Sequence, residues 1–214
     1  MQSITQAIQW NNLTISQYTH QTTLPRMDFE KDILNCVEVL RAGGLILYPT
    51  DTIWGIGCDA TNPDAVRKIY QLKKRPDQKS MIVLMTSKKE ILRYVSQPDL
   101  MIFDYLDSVQ KPTTVIYRGA IGIAADLIHE DGSIAIRLCK EEFCKDLIRR
   151  FRKPIVSTSA NIAGQPFPKN FSEISIDIRS GVDYVVQYRQ NDRTNASPST
   201  LIKWERGKPV ILRP

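Results

Sequence analysis

The chain has 214 residues, 42% of them hydrophobic, and 29 Lys and Arg against 23 Asp and Glu give it a formal net charge of +6. That length suits one domain, alone or with a small appendage, and the apolar content excludes a disordered polycation. No stretch approaches the ~18 apolar residues of a membrane span and no signal peptide is evident, so a cytoplasmic protein with no membrane partner is expected.

Residues 1–26 are rich in Gln, Asn, Thr and Ser and read as a polar leader or extension, with the domain proper over 27–214. From Asp28, a helix cap, the apolar positions Phe29, Ile33, Cys36, Val37 and Leu40 recur at helical spacing, and Gly43-Gly44 supplies the left-handed stop. The run Leu45 to Tyr48, closed by Pro49, predicts a buried strand, and Gly55 and Gly57 fall inside another. Asn62 caps a helix with Pro63 in its first turn and Ala65, Val66, Ile69, Tyr70 and Lys73 at helical spacing. A strand over Met81–Met85 follows, then a capping box, Ser87 to Glu90. Asp99 to Val109 reads as a helix, Thr114–Tyr117 and Ile134–Leu138 as strands, and Glu141–Phe151 as a basic helix. Further strands are expected at Pro154–Val156, Tyr184–Tyr188, Leu201–Trp204 and Val210–Leu212. This order predicts an α/β fold whose sheet is twisted and mixed parallel/antiparallel, flanked by helices.

The positive charge is local. Asp64 to Lys89 holds eight basic residues and two acidic ones, a balance of +6, so the rest of the chain is neutral. Within it, Lys73-Lys74-Arg75-Pro76-Asp77-Gln78-Lys79 combines the planar fork of Arg with the point charges of Lys, a set suited to polyphosphate oxygens. Basic residues also complement a helix C-terminus, which accounts for one or two of these charges but not for four. Three other polar loops stand out: Pro49 to Gly55, Ser157-Thr158-Ser159-Ala160-Asn161 after a strand, and Ser197-Pro198-Ser199-Thr200, with Arg213 near the C-terminus. Each alone is also the composition of a turn or cap.

Standard phosphate and nucleophile motifs are absent. There is no GxxxxGK[ST] loop, no third glycine after Gly55 and Gly57, and neither His20 nor His129 stands with a Ser or Cys in a nucleophile motif. Cys139 and Cys144 lack histidine partners at zinc spacing, and the four cysteines read as reduced thiols, so no protein-held metal is expected. Any chemistry would rest on positioning substrates and neutralising charge.

Taken together and in order, GGLILYPTDTIWGIGCDA, KKRPDQKSMIVL, KPTTVIY, SIAIRL, STSANIAGQP, SPSTLI and VILRP resemble the YrdC-like family of threonylcarbamoyl-adenylate synthases, short single-domain type. The KxR element (Lys73, Arg75) paired with the SxN element (Ser159, Asn161) is the most specific part of the likeness. The resemblance implies a YrdC-like sheet with a basic concave cavity. It also implies formation of threonylcarbamoyl-AMP and pyrophosphate from L-threonine, bicarbonate and ATP, with Mg2+ accompanying ATP, for N6-threonylcarbamoyladenosine in tRNA. Lys73, Arg75, Lys79, Ser159, Asn161 and Arg213 would then face ATP, Lys73 and Arg75 being catalytic, and Thr52, Thr114 and Ser199 would contact threonine. Family members also bind tRNA or double-stranded RNA, and a transferase complex of the same pathway would take the product. A binding or regulatory protein without synthase activity is the alternative. Trp54, Lys79, Leu84 and Cys139 depart from the family's usual residues, and most of these departures border the expected threonine pocket.

Overall fold

The computed structural model describes residues 29–74, 81–194 and 196–214. The polar leader, the Asp28 cap, Arg75 and Lys79 therefore lie outside the described residues. The first helix, α1 (Glu30–Arg41), buries Ile33, Cys36, Val37 and Leu40, the apolar stripe its sequence spacing requires. Its stop is a left-handed turn in which Gly43 takes φ +72° and Gly44 N–H donates to Val39 O at 2.9 Å. The same helix also buries Asp32, whose carboxylate accepts the Tyr184 hydroxyl at 2.6 Å and the amides of Gln187 and Tyr188.

Beyond α1 come β1 (Ile46–Tyr48), β2 (Gly55–Gly57), α2 (Pro63–Leu72), β3 (Ile82–Met85), α3 (Lys88–Tyr94), α4 (Met101–Ser108), β4 (Thr113–Arg118), β5 (Ser133–Leu138), α5 (Glu142–Phe151), β6 (Ile155–Ser159), α6 (Ile176–Ser180), β7 (Tyr184–Val185), β8 (Thr200–Glu205) and β9 (Lys208–Arg213). Asn62 caps α2 by accepting the amides of Asp64 and Ala65, and Ser87 caps α3 by accepting that of Glu90. Strands run in the order β7-β1-β2-β6-β3-β5-β4-β8-β9 in one sheet. The pairs β1/β7, β3/β5 and β4/β8 are parallel and the others antiparallel, so the sheet is mixed as expected. None of the described helices is long and apolar enough to cross a membrane.

Two sequence expectations need correction. The strand expected to end at Val156 continues through Ser159, because Thr158 and Ser159 pair with Ile56 and Gly55 of β2; the first three residues of the polar STSAN segment are strand, not loop. The strand expected over Tyr184–Tyr188 stops at Val185, where the Gln187 and Tyr188 amides turn away to Asp32.

The glycines of β2 make room for Tyr48. That fully buried ring lies against β2, and its hydroxyl donates to Val156 O at 3.1 Å. A Cβ on Gly57 would stand 2.7 Å from Tyr48 Cε1 and 2.8 Å from Val156 O. The backbone oxygen cannot retreat without breaking the sheet, so Gly57→Ala should lower stability by about 1–3 kcal/mol, the usual cost of overpacking. Urea denaturation should show the midpoint falling with the slope unchanged.

Candidate functional site

Strand register builds the site. Paired residues of neighbouring strands share a sheet face, and the pairs Leu84↔Arg137, Arg137↔Thr114, Thr114↔Leu201 and Leu201↔Arg213 run in one row across β3, β5, β4, β8 and β9. A register shift at Leu201/Ile202 completes the row. With Ile202 opposite Ile211, regular pairing would set Leu212 against Leu201; the irregularity sets Arg213 there instead. Bulges commonly re-aim a side chain in this way.

Over this face lies a cleft of about 240 Å³, walled by Thr52 to Gly55, Met81, Ile82, Ala135, Arg137, Ser157 to Ser159, Phe167, Pro198, Ser199, Leu201 and Arg213. A second hollow, of about 530 Å³, shares Thr52, Phe167, Pro198 and Arg213 with it, so the two are adjoining parts of one depression.

The polar groups of the cleft are held from behind. Thr114 Oγ1 and Ser199 Oγ, both buried, lie 2.8 Å apart, and Arg213 donates from Nε and Nη2 to Ser199 O at 3.2 and 2.9 Å. Thr52 is set by Thr50, whose hydroxyl lies 2.9 Å from Thr52 Oγ1, accepts the Thr52 amide at 3.0 Å and donates to Ile53 O. Trp54, whose ring packs on Phe171 with centroids 4.9 Å apart, closes one wall.

Arg137 is the strongest charge in the cleft. Its side chain is 3% exposed and lies 3.1 Å from Asp51 Oδ1, itself 11% exposed. The two are not aligned for a hydrogen bond: Arg137 Nε and Nη2 and both Asp51 oxygens are buried without hydrogen-bond partners among the described residues. Burial and the nearby Arg137 charge together push the Arg213 guanidinium below its ordinary pKa. Two guanidinium groups thus crowd one cleft, and an anion seated there would use Arg137's spare donors and relieve the repulsion.

Of the sequence candidates, Thr52, Ser159, Ser199 and Arg213 wall the cleft and Thr114 supports Ser199 from beneath. Lys73 and Asn161 meet each other behind Ser159, Nζ to Oδ1 at 3.4 Å, and neither walls the cleft. Arg75 and Lys79 lie outside the described residues. Sequence reasoning missed Asp51 and Arg137, although one guanidinium inside the apolar strand SIAIRL was a signal. The basic helix α5 is largely satisfied at its surface: Arg149 pairs with Asp146, Arg150 bidentately with Glu30, and Lys153 with Asp59. That matches a solvated, paired face better than a nucleic-acid surface.

Known proteins share this sequence and architecture. The Sua5/YciO/YrdC family model, described as telomere recombination, matches residues 38–214. A threonylcarbamoyl-AMP synthase of Vibrio campbellii is 33% identical over 140 residues, 64% of this chain and 75% of its own length. Another, from Pseudoalteromonas translucida, is 29% identical over 85% of this chain and 98% of its own length. The crystal structure of P. abyssi Sua5 complexed with L-threonine superposes with a TM-score of 0.76 at 23% identity, covering 86% of this chain. This chain spans only about half of that protein, 54% of its length.

The unaligned Asp51–Arg137 pair has a measurable consequence. Removing the guanidinium alone strands a buried carboxylate, so Arg137→Met should lose about 3–5 kcal/mol of folding stability. Removing both charges should reverse the loss: Asp51→Asn combined with Arg137→Met should be at least as stable as the parent in urea denaturation, as expected of a pair retained for something other than stability.

Proposed function

The chain belongs to the Sua5/YciO/YrdC family, and from that premise we propose that it is a threonylcarbamoyl-AMP synthase. It would condense L-threonine, bicarbonate and ATP into threonylcarbamoyl-AMP and pyrophosphate, the activated step of N6-threonylcarbamoyladenosine formation in tRNA. The observation that carries the reading is the pairing of Arg137 and Arg213 in one cleft with the Thr114–Ser199 hydroxyl pair between their strands. Such a site offers charge for two anions and hydroxyls for a small polar substrate. Relatives of similar sequence named threonylcarbamoyl-AMP synthase and the threonine complex of P. abyssi Sua5 support it.

On this reading the carboxylate of threonine takes the spare donors of Arg137, and its side-chain hydroxyl meets the Thr52 and Ser199 hydroxyls. The free amine attacks the carbon of bicarbonate, water leaves, and the carbamate oxygen then attacks the α-phosphorus of ATP as pyrophosphate departs. The reaction asks the protein for alignment and for cations near the developing negative charge, which Arg213, Arg75 and Lys79 would supply. No residue need act as nucleophile, in keeping with a chain whose cysteines are buried. The described residues hold no group of three His, Cys, Asp or Glu side chains suited to a metal ion. Mg2+ would accordingly travel on the ATP phosphates, and the steps above do not depend on a protein-held ion.

The test is pyrophosphate release from ATP in the presence of bicarbonate and Mg2+, with mass spectrometry of the nucleotide product. Release should require threonine and yield an acyl adenylate; threonine-independent release, or none, refutes the proposal. Arg213→Ala should raise the KM for ATP tenfold or more, the loss of a charge-assisted hydrogen bond of about 1.5–3 kcal/mol.

A further inference from the structure

Lys73 ends α2 as its C-cap residue and is 1% exposed. A lysine so deeply buried needs acceptors for its ammonium. They come from the far end of the chain's polar segment: Nζ donates to Ser159 O and, at 2.6 Å, to Asn161 O, and it faces Asn161 Oδ1 at 3.4 Å. Three acceptors match the three N–H donors of an ammonium. The grip is reciprocal, because Lys73 O accepts the amide of Ala163 at 2.9 Å. Asn161 completes the arrangement, using Nδ2 to donate to Ile162 O at 3.1 Å and to Gln165 O at 2.6 Å.

The consequence lies one residue away. Ser159 walls the cleft, while Lys73 and Asn161 stand behind it. The Ser159 carbonyl is fixed by the ammonium and its strand by β2, so the direction of its side chain into the cleft is set by Lys73. A phosphate could recruit this ammonium only by pulling it away from carbonyls that would themselves be left buried and unsatisfied.

We infer that Lys73 is a positioning residue: it acts on the nucleotide through the segment from Ser159 to Ala163, not by touching phosphate. The inference rests on the adenylate-forming reading above. It separates the two cations of the KxR element, giving the lysine the task of holding the SxN segment and leaving phosphate contact to the arginine and to the cations that wall the cleft.

The experiment compares Lys73→Met and Lys73→Arg with the parent, measuring kcat, KM and the affinities for ATP and AMP. A misplaced Ser159 segment should lower kcat of Lys73→Met by about 100-fold, as for a 1 Å displacement at a reacting site. It should weaken ATP and AMP by the same factor, and Lys73→Arg should recover part of kcat. Selective loss of ATP with AMP binding retained would mark a phosphate ligand and overturn the inference. So would a variant of lower thermal stability whose folded fraction keeps full kcat, the sign of a merely structural lysine. A parent protein that binds no adenine nucleotide refutes the adenylate reading, and the inference falls with it. Should Lys73→Met not fold, nitrogen NMR of the Lys73 ammonium in the parent protein decides: a signal unmoved by saturating pyrophosphate supports positioning, and one that shifts overturns it.

Discussion

A guanidinium taken out of water is tolerated only where its donors are used or another charge stands close, and the cleft is organised around two groups under that constraint. Arg137 is held in the middle of the sheet by Asp51, from the loop after β1, at 3.1 Å. Arg213 reaches the same face because β8 and β9 slip register at Leu201/Ile202. Between them lie Thr114 and Ser199, which satisfy one another. Asp51 comes from one half of the sheet and Arg137 from the other, with β6 and β3 between. The electrostatics of the cleft therefore exist only when both halves have assembled, and the binding surface is a property of the whole sheet and of no single loop.

Lys73 solves the burial problem differently. Its charge is met by backbone carbonyls within hydrogen-bond reach, which align with it as Asp51 does not with Arg137. The contrast separates two uses of a buried cation. A cation whose hydrogen bonds are made holds structure in place, while one whose donors are spent on nothing is kept for a ligand. By that criterion Lys73 belongs with the scaffold and Arg137 with the chemistry, the reverse of what their positions in the sequence suggest, since Lys73 sits in a conspicuous cationic run and Arg137 in an apolar strand.

The secondary structure was largely legible because its signals are local. The stripe of α1, the Asn62 and Ser87 caps and the Gly43 stop each act within a few residues, and each is present. What escaped depends on partners far along the chain. Ser157 to Ser159 look like turn residues until β2 pairs with them, and the run Tyr184–Tyr188 looks like a strand until Asp32 captures its amides. Thr52, Ser159, Ser199 and Arg213 were found as a set by the order and spacing of motifs, and the structure does bring them together. Asp51 and Arg137 were overlooked because their partnership joins residues whose separate surroundings, a polar loop and an apolar strand, gave no sign of each other. The clamp of Lys73 on residues 86 and 88 positions away is invisible for the same reason.

The departures from the family pattern fall where the cleft is apolar. Leu84 is fully buried and paired in register with Arg137, so on the synthase reading this position offers the substrate bulk and no hydrogen bond. Trp54 extends the same character along one wall, its ring backed by Phe171. Cys139 is buried just beyond the end of β5 and does not wall the cleft. Recognition of a hydroxyl then rests on Thr52 and on the Thr114–Ser199 pair, groups already fixed by bonds to their neighbours. A site built this way discriminates unequally. A substrate lacking the hydroxyl leaves buried polar groups unpaired, a penalty that reaches about 10⁴-fold, whereas one lacking only a methyl group forfeits about 10–200-fold. The apolar walls supply the weaker of these two filters, so substitutions confined to them, such as Leu84 and Trp54, can accumulate in a family member without erasing the stronger one.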